Sequence, residues 1–122
     1  MRGKRWIALL AAAAGLAILI GTAYAGRSAT AKPEKGVQFA LVDNDGTLLK
    51  GSKDVVSVAH PGTGQYEITM KNVVTYCALT GSFHGGTGLV GFSLPDVNIV
   101  HVNTRTLIGN DANAEFSVVM AC

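Results

Sequence analysis

The clearest pattern in this chain is a strict alternation of apolar and polar residues between positions 65 and 71. The apolar members are Tyr66, Ile68 and Met70, and the polar members are Gln65, Glu67, Thr69 and Lys71. Because successive side chains of an extended chain point to opposite faces, a period of two predicts a half-buried β-strand. We expect the apolar set to face a core and the polar set to face solvent.

Short apolar runs separated by turn-forming residues fill the rest of the chain from position 37 onward. The predicted strands cover residues 37–42, 47–50, 54–59, 65–71, 73–83, 89–94, 97–102, 106–108 and 115–121. The breaks between them are rich in Gly, Pro, Asn and Asp, as at Asn44-Asp45-Gly46 and His60-Pro61-Gly62. Nothing after residue 25 keeps a helical period. The pattern predicts one all-β domain over residues 37–122, a small antiparallel sandwich or barrel of about eight strands.

The start of the chain has the three parts of a secretory signal. Residues 1–6 carry positive charges only, residues 7–20 are uncharged and apolar, and Ala23-Tyr24-Ala25 supplies small residues at both positions that a signal peptidase must fit. We therefore predict an N-terminal signal helix over residues 1–25, with cleavage before Gly26.

An uncleaved membrane anchor is the alternative interpretation of the same segment. Residues 7–26 contain no charge and are long enough to span a bilayer at about 1.5 Å per residue. In both cases the rest of the chain ends up secreted or extracytoplasmic. Residues 26–36 are small, polar and charged, and they predict a flexible leader ahead of the domain.

The net charge depends on whether the signal is counted. The whole chain has 10 basic and 8 acidic residues, a net of +2. Arg2, Lys4 and Arg5 lie in the signal, so removing them leaves 7 basic against 8 acidic residues, a net of −1. Bulk charge therefore gives no support for nucleic-acid binding. A chain of 122 residues is also too short for a large α/β enzyme.

The two cysteines, Cys77 and Cys122, both follow the predicted signal. An even count in a short exported chain predicts one disulfide. The competing interpretations are a metal-binding pair and a reactive thiol. Metal binding is disfavoured because the spacing is not C-x-x-C, and a free thiol is disfavoured because a second cysteine is present.

Several segments together resemble small exported β-domains common in actinobacteria, which also occur at the ends of some phage tail-fibre-like chains. The segments are residues 39–51, Val56-Ser57-Val58, residues 62–69, Tyr76-Cys77-Ala78 and residues 116–122. The stretch from His84 to Asp96 departs from the pattern. The resemblance implies an exported β-fold with a Cys77–Cys122 bond, and it implies no activity and no catalytic residue.

Asp43-Asn44-Asp45-Gly46-Thr47-Leu48 matches the D-x-D-G-T-[LV] signature of haloacid-dehalogenase-type phosphatases. In those enzymes the first Asp attacks phosphorus, and the signature lies at the strand ends of a doubly wound parallel sheet. This chain predicts no helices after the signal, and its later acidic residues are isolated. We interpret Asp43 and Asp45 as turn residues, because Asn-Asp-Gly tolerates positive φ. The full calcium-loop pattern is absent as well, since Leu41 stands where a ligand is required.

The histidines and aromatic residues point to no specific chemistry. His84-Gly85-Gly86 is similar to an esterase oxyanion loop, but Gly91-Phe92-Ser93-Leu94-Pro95 is not a G-x-S-x-G nucleophile motif. His60, His84 and His101 do not have metal-ligand spacing, and we interpret them as turn or surface residues. The aromatic residues after the signal include no Trp, so an aromatic platform for sugars is not predicted.

These observations favour an exported, non-enzymatic β-domain with a structural, adhesive or surface-binding role, with no cofactor and no metal. Its partner would be a cell-surface or extracellular ligand, which residues 81–88 and 109–113 would contact as displayed loops. A small secreted hydrolase using Asp43 or Asp45 is the alternative from a different class. Homo-oligomerisation through a strand such as 97–102 is a third hypothesis.

Overall fold

The computed structural model of this protein describes residues 32–122, and every regular element in that range is a β-strand. The predicted all-β class is therefore confirmed. The predicted signal, its cleavage residues Ala23, Ala25 and Gly26, and the leader up to residue 31 lie outside the described residues. Within residues 32–122, no helix has the length and apolar character needed to cross a membrane.

Within the described range, eight strands form two antiparallel sheets of four strands each. In chain order they are β1 (Val37–Val42), β2 (Leu48–Gly51), β3 (Val55–Gly62), β4 (Gln65–Met70), β5 (Ala78–Phe83), β6 (Leu89–Asp96), β7 (Ile99–Arg105) and β8 (Phe116–Ala121). The first sheet has the order β2-β1-β8-β5, and the second has the order β3-β4-β7-β6. The architecture is a sandwich, which decides between the two predicted alternatives.

The core lies between the sheets and is supplied mainly by their central strands. Its buried members are Ala40, Val42, Phe116, Val118 and Met120 from the first sheet, Tyr66, Ile68, Met70, Val100 and Val102 from the second, and Val74 from the β4–β5 connection. Each strand contributes every second residue, as a two-layer packing requires.

The register predicted for β4 is confirmed. Tyr66, Ile68 and Met70 are at most 1% exposed, while Gln65, Glu67 and Thr69 are half-buried on the outer face. The outer residues are partly covered because β4 is a central strand with β3 and β7 on either side. Likewise β7 pairs with both β4 and β6, so it has no free edge for pairing with a second copy.

Two strand predictions are wrong for the same reason, because an apolar run can also lie in a turn. The run 73–83 becomes strand only from Ala78, after a turn at residues 75–76. The run 106–108 is a turn closed by a hydrogen bond of 2.9 Å from Gly109 N to Thr106 O. Gly109 has φ of 90°, a left-handed conformation that reverses the chain at low steric cost.

The prolines expected to end two strands lie inside them instead. Pro61 belongs to β3 and Pro95 belongs to β6, and these are the two edge strands of the second sheet. Each proline lies within a shift of register, between Ala59 and Gly62 and between Ser93 and Asp96. An edge strand with a bulge tolerates proline because the missing N–H has no ladder partner to lose.

The predicted disulfide between Cys77 and Cys122 is confirmed, with a sulfur–sulfur distance of 2.08 Å. Cys77 precedes β5 and Cys122 follows β8, and the neighbouring residues Ala78 and Ala121 are directly paired across these strands. The bond therefore fixes the last residue of the chain to the start of an edge strand.

Residues 33–36 of the predicted leader are attached to the domain. Pro33 forms a parallel bridge with Val73, and Glu34 N donates a hydrogen bond of 2.7 Å to Val73 O. Cys122 N donates to Gly36 O at 2.9 Å. Part of the predicted flexible leader is therefore hydrogen-bonded to the sandwich.

Candidate functional site

The outer face of the second sheet carries an open groove of about 440 Å³. The groove crosses β4, β7 and β6, whose inner faces point into the core. The side chains and backbone that line it are Gln65, Leu89, Val90, Gly91, Phe92, Ser93, His101, Asn103 and Arg105. Most of the polar members come from alternate positions of central strands, so the scaffold that holds them is rigid. We refer to this feature as the groove.

Strand register places the outward-facing residues of β4, β7 and β6 in three rows at the groove. Direct pairing sets Gln65 and Gly91 on either side of Asn103, and it sets Leu89 opposite Arg105. The third row is Glu67, His101 and Ser93, in the same strand order. Directly opposed residues share a face and have Cβ atoms about 5 Å apart. The side chains of each row are therefore neighbours on the outer face of the sheet.

Gly91 provides the depth of the groove. It faces outward from β6, and a Cβ built there would lie 4.0 Å from its nearest neighbour, Asn103 O. The backbone at Gly91 is not in the left-handed region, so the position does not need glycine for conformational reasons. A glycine in a strand is costly and often marks a place where a ligand approaches the backbone.

Hydrogen bonds hold the polar side chains of the groove in place. The His101 Nε2 atom contacts Gln65 Oε1. Asn103 Nδ2 donates to Gly64 O at 3.1 Å and lies 3.4 Å from Asp111 Oδ1. Side chains that are fixed before a ligand arrives lose less conformational entropy on binding.

Carboxylates lie beside both basic side chains of the groove. Arg105 Nε donates to Asp111 Oδ1 at 3.2 Å, with both side chains about half exposed. His101 Nδ1 lies 3.8 Å from Glu67 Oε1 on the other side of the groove. The Arg105 guanidinium is therefore not free to attract an anion.

The row of Ser93, His101 and Glu67 contains the residue types of a serine-hydrolase triad. In such a triad, one imidazole nitrogen accepts the serine proton and the other donates to the carboxylate. Here His101 Nε2 contacts Gln65 rather than the Ser93 hydroxyl. Of the strands that line the groove, β4 and β7 are paired on both sides, so their backbone N–H groups are used in the sheet and do not form an oxyanion hole.

A second, smaller cleft of about 330 Å³ lies at one end of the sandwich. It is lined by Asp43, Asn44, residues 83–87 and residues 113–115. His84 Nδ1 lies 3.2 Å from Glu115 Oε1, so the cleft contains a close imidazole–carboxylate contact. The structure thereby brings Asp43 near His84-Gly85-Gly86, which the sequence treats as separate features.

Asp43 and Asp45 form the hydrogen bonds of a tight turn. Asp43 O accepts from Gly46 N at 2.9 Å, and the Asp45 carboxylate accepts from Thr47 N at 2.9 Å. The hydrogen bonds from Thr47 lower the pKa of the exposed Asp45 carboxyl below its ordinary value. The turn joins antiparallel strands β1 and β2, whereas the phosphatase signature requires the strand ends of a parallel sheet.

The loops named from the sequence have different roles in the structure. Of the predicted loop 81–88, residues up to Phe83 belong to β5, and residues 84–87 form one wall of the cleft. Of residues 109–113, Asp111 reaches the groove through Arg105, and Asn113 Oδ1 accepts from Gly64 N at 2.8 Å. Among residues 32–122, no three His, Cys, Asp or Glu side chains are placed to hold a metal ion.

Comparison of this chain with protein-family models, with curated proteins and with solved structures gives no match.

Sequence reasoning placed Gln65 and His101 on the protein surface but did not identify the groove. A local signal was present in β7, where Val100, Val102 and Thr104 alternate with His101, Asn103 and Arg105. An outward face made only of hydrogen-bonding side chains, beside a glycine in the next strand, is a binding-site pattern. That β4, β7 and β6 are neighbours could not be deduced from the sequence, since β4 and β7 are far apart in the chain.

Proposed function

We propose that this protein is an extracytoplasmic, non-enzymatic binding module and that the groove is its ligand site. The observation that carries this proposal is the hollow at Gly91, bordered by side chains that are already held by hydrogen bonds. A site of this kind presents polar groups in fixed positions and leaves room for a ligand.

The location outside the cytoplasm is supported by the Cys77–Cys122 disulfide. Disulfides persist in oxidising compartments and are rare in the cytosol. The predicted signal over residues 1–25 agrees with this location, as does the resemblance to small exported β-domains. A disulfide-linked sandwich is also a suitable scaffold for a module that must stay folded outside the cell.

A binding role is favoured over catalysis by the state of His101. Its ring contacts Gln65 at Nε2 and faces Glu67 at Nδ1, so the imidazole acts as a fixed hydrogen-bonding group. A general base needs a nitrogen directed at the proton it removes. The neighbouring contacts direct this nitrogen at an amide oxygen instead.

The test is co-sedimentation of the purified, oxidised protein with insoluble cell-envelope material. Gly91→Phe fills the groove without a backbone clash, because a Cβ at this position meets only Asn103 O, at an ordinary contact distance of 4.0 Å. Ser57→Phe is the matched control, since Ser57 is exposed on β3, outside the groove lining. We expect Gly91→Phe to abolish sedimentation and Ser57→Phe to retain it. Equal sedimentation of both variants and the wild-type protein would refute the proposal.

A serine hydrolase is a second candidate, favoured only by the alignment of Ser93, His101 and Glu67. Its test is hydrolysis of p-nitrophenyl acetate by the wild-type protein and by Ser93→Ala. The binding-module proposal expects both to hydrolyse the ester at the same slow rate. A wild-type rate that is at least about a hundredfold above that of Ser93→Ala would favour the hydrolase, because loss of a nucleophile removes most of the activity.

A further inference from the structure

We propose that the groove binds an uncharged saccharide, which depends on the groove being the ligand site as proposed above. Three properties of the groove support this ligand class. Its guanidinium is already paired with a carboxylate, it offers both hydrogen-bond donors and acceptors, and it lies on the face of a sheet rather than at an edge.

The charges at the groove disfavour an anionic ligand. Among the residues that the structure describes, Arg105 is the one Lys or Arg side chain that lines the groove, and its Nε atom is hydrogen-bonded to Asp111. The His101 side chain faces the Glu67 carboxylate at the other end. A phosphate- or uronate-rich ligand would therefore meet two carboxylates beside one guanidinium that already has a partner. An uncharged ligand avoids this repulsion.

The hydrogen-bonding groups match hydroxyls, each of which can donate and accept at the same time. Gln65 Oε1 is used by His101, so its amino group is the part of this amide that remains to donate. Asn103 uses Nδ2 for Gly64 and Asp111, so its amide oxygen remains to accept. The Ser93 hydroxyl can do both. Donors and acceptors at fixed positions on one surface are what vicinal sugar hydroxyls require.

The position on the sheet face disfavours a peptide strand. Peptides added to a sheet bind an unpaired edge through their backbone. Here β4 and β7 are paired on both sides, and β6 has Pro95 and a register shift in its length. The ligand must therefore be recognised by side chains. Gly91 and the exposed side chain of Leu89 add a small apolar surface, suited to the C–H face of a pyranose ring.

The experiment is an NMR titration of the isotope-labelled, oxidised protein with four neutral trisaccharides. The probes are maltotriose, cellotriose, mannotriose and chitotriose, each taken into the millimolar range. The galacturonic acid trimer serves as the charged counterpart and trialanine as the peptide. We expect at least one neutral probe to shift the backbone amides of Gly91, His101 and Asn103 with saturation. Gly91→Phe should remove the shifts, Asn103→Ala should weaken binding about tenfold, and Ser57→Phe should bind as the wild-type protein does.

Two results would overturn the saccharide proposal. One is that no neutral trisaccharide shifts these amides, and the other is that the galacturonic acid trimer or trialanine binds at the groove more tightly. In either case, the binding-module proposal remains intact if the wild-type protein sediments with envelope material and Gly91→Phe does not. Equal sedimentation of Gly91→Phe and the wild-type protein refutes the binding module itself. The two failures are therefore distinguishable.

Discussion

The Tyr66 hydroxyl, at the end of the core strand β4, donates a hydrogen bond of 2.8 Å to the backbone oxygen of Asn44 in the β1–β2 turn. The same hydroxyl accepts a hydrogen bond of 3.3 Å from Ala114 N, in the segment before β8. The Tyr66 ring is stacked on the imidazole of His60 at a centroid distance of 4.4 Å. One buried side chain thus connects the second sheet to two of the three segments that line the cleft at this end of the sandwich.

Replacing Tyr66 with Phe should lower the free energy of unfolding by about 1–3 kcal/mol, because two hydrogen bonds to backbone groups are lost. Chemical denaturation measures this change. Tyr76→Phe is the matched control, since Tyr76 is 91% exposed, and it should change stability by no more than about 0.5 kcal/mol. Equal effects of the two substitutions would contradict the role given to the Tyr66 hydroxyl.

Burial raises the pKa of Tyr66 above its ordinary value of 10.0. The unfolded chain therefore loses this proton at a lower pH than the folded protein does. The resulting stabilisation is fully present below about pH 10 and is lost as the pH rises through the folded-state pKa. We expect the wild-type protein to lose stability more steeply than Tyr66→Phe above pH 10, as measured by urea denaturation across this range. Parallel slopes would show that Tyr66 does not titrate differently in the two states.

Gly64→Ala should be strongly destabilising. Gly64 has φ of +66°, and a Cβ there would lie 2.5 Å from Thr104 O and 3.0 Å from Ala112 N. The substitution would also disturb the hydrogen bond from Thr104 N to Gly64 O. We expect a loss of more than about 2 kcal/mol in thermal or chemical unfolding. Gly86→Ala is the control, because Gly86 has ordinary φ and only the Phe83 ring within 4 Å, and it should be nearly neutral.

The disulfide closes a loop of 45 residues, and the chain-entropy relation gives it about 4 kcal/mol of stabilisation. Cys77→Ala combined with Cys122→Ala should lower the free energy of unfolding by roughly this amount. Thiol titration of the denatured, unreduced protein should find no free thiol. Two free thiols per chain would show that the bond does not form.

The register of β4 can be tested with one inward and one outward residue. Ile68→Asp buries a carboxylate without a partner at a position that is 0% exposed, so it should cost more than about 4 kcal/mol and unfold the domain. Glu67→Ala removes an outward side chain that is 40% exposed and should change stability by no more than about 0.5 kcal/mol. Circular dichroism and denaturation measure both. The reverse order would mean that the strand is displaced by one residue.

The sequence predicted strand positions well where burial imposes alternation. In β4, for example, even-numbered residues face the core and odd-numbered residues lie on the outer face. The strand prediction failed in two situations. In one, apolar residues lie in a turn, and in the other, a turn-forming residue lies inside a strand. The apolar residues Leu107 and Ile108 predicted a strand. They are instead exposed in a turn, because Gly109 reverses the chain there. Pro61 and Pro95 predicted the ends of strands. Both lie inside edge strands instead, where bulges accommodate them.

The sequence by itself determined the all-β class, the positions of most strands and the Cys77–Cys122 pairing. These depend on local periodicity, local turn chemistry and a cysteine count of two, none of which needs knowledge of distant contacts. The candidate site depended on the tertiary structure. Gln65, Gly91 and Asn103 come from three strands, and they lie side by side only because β7 pairs with β4 on one side and β6 on the other. Strand order is set by burying the inner faces of the two sheets against each other. This is a property of the whole domain that no single segment encodes.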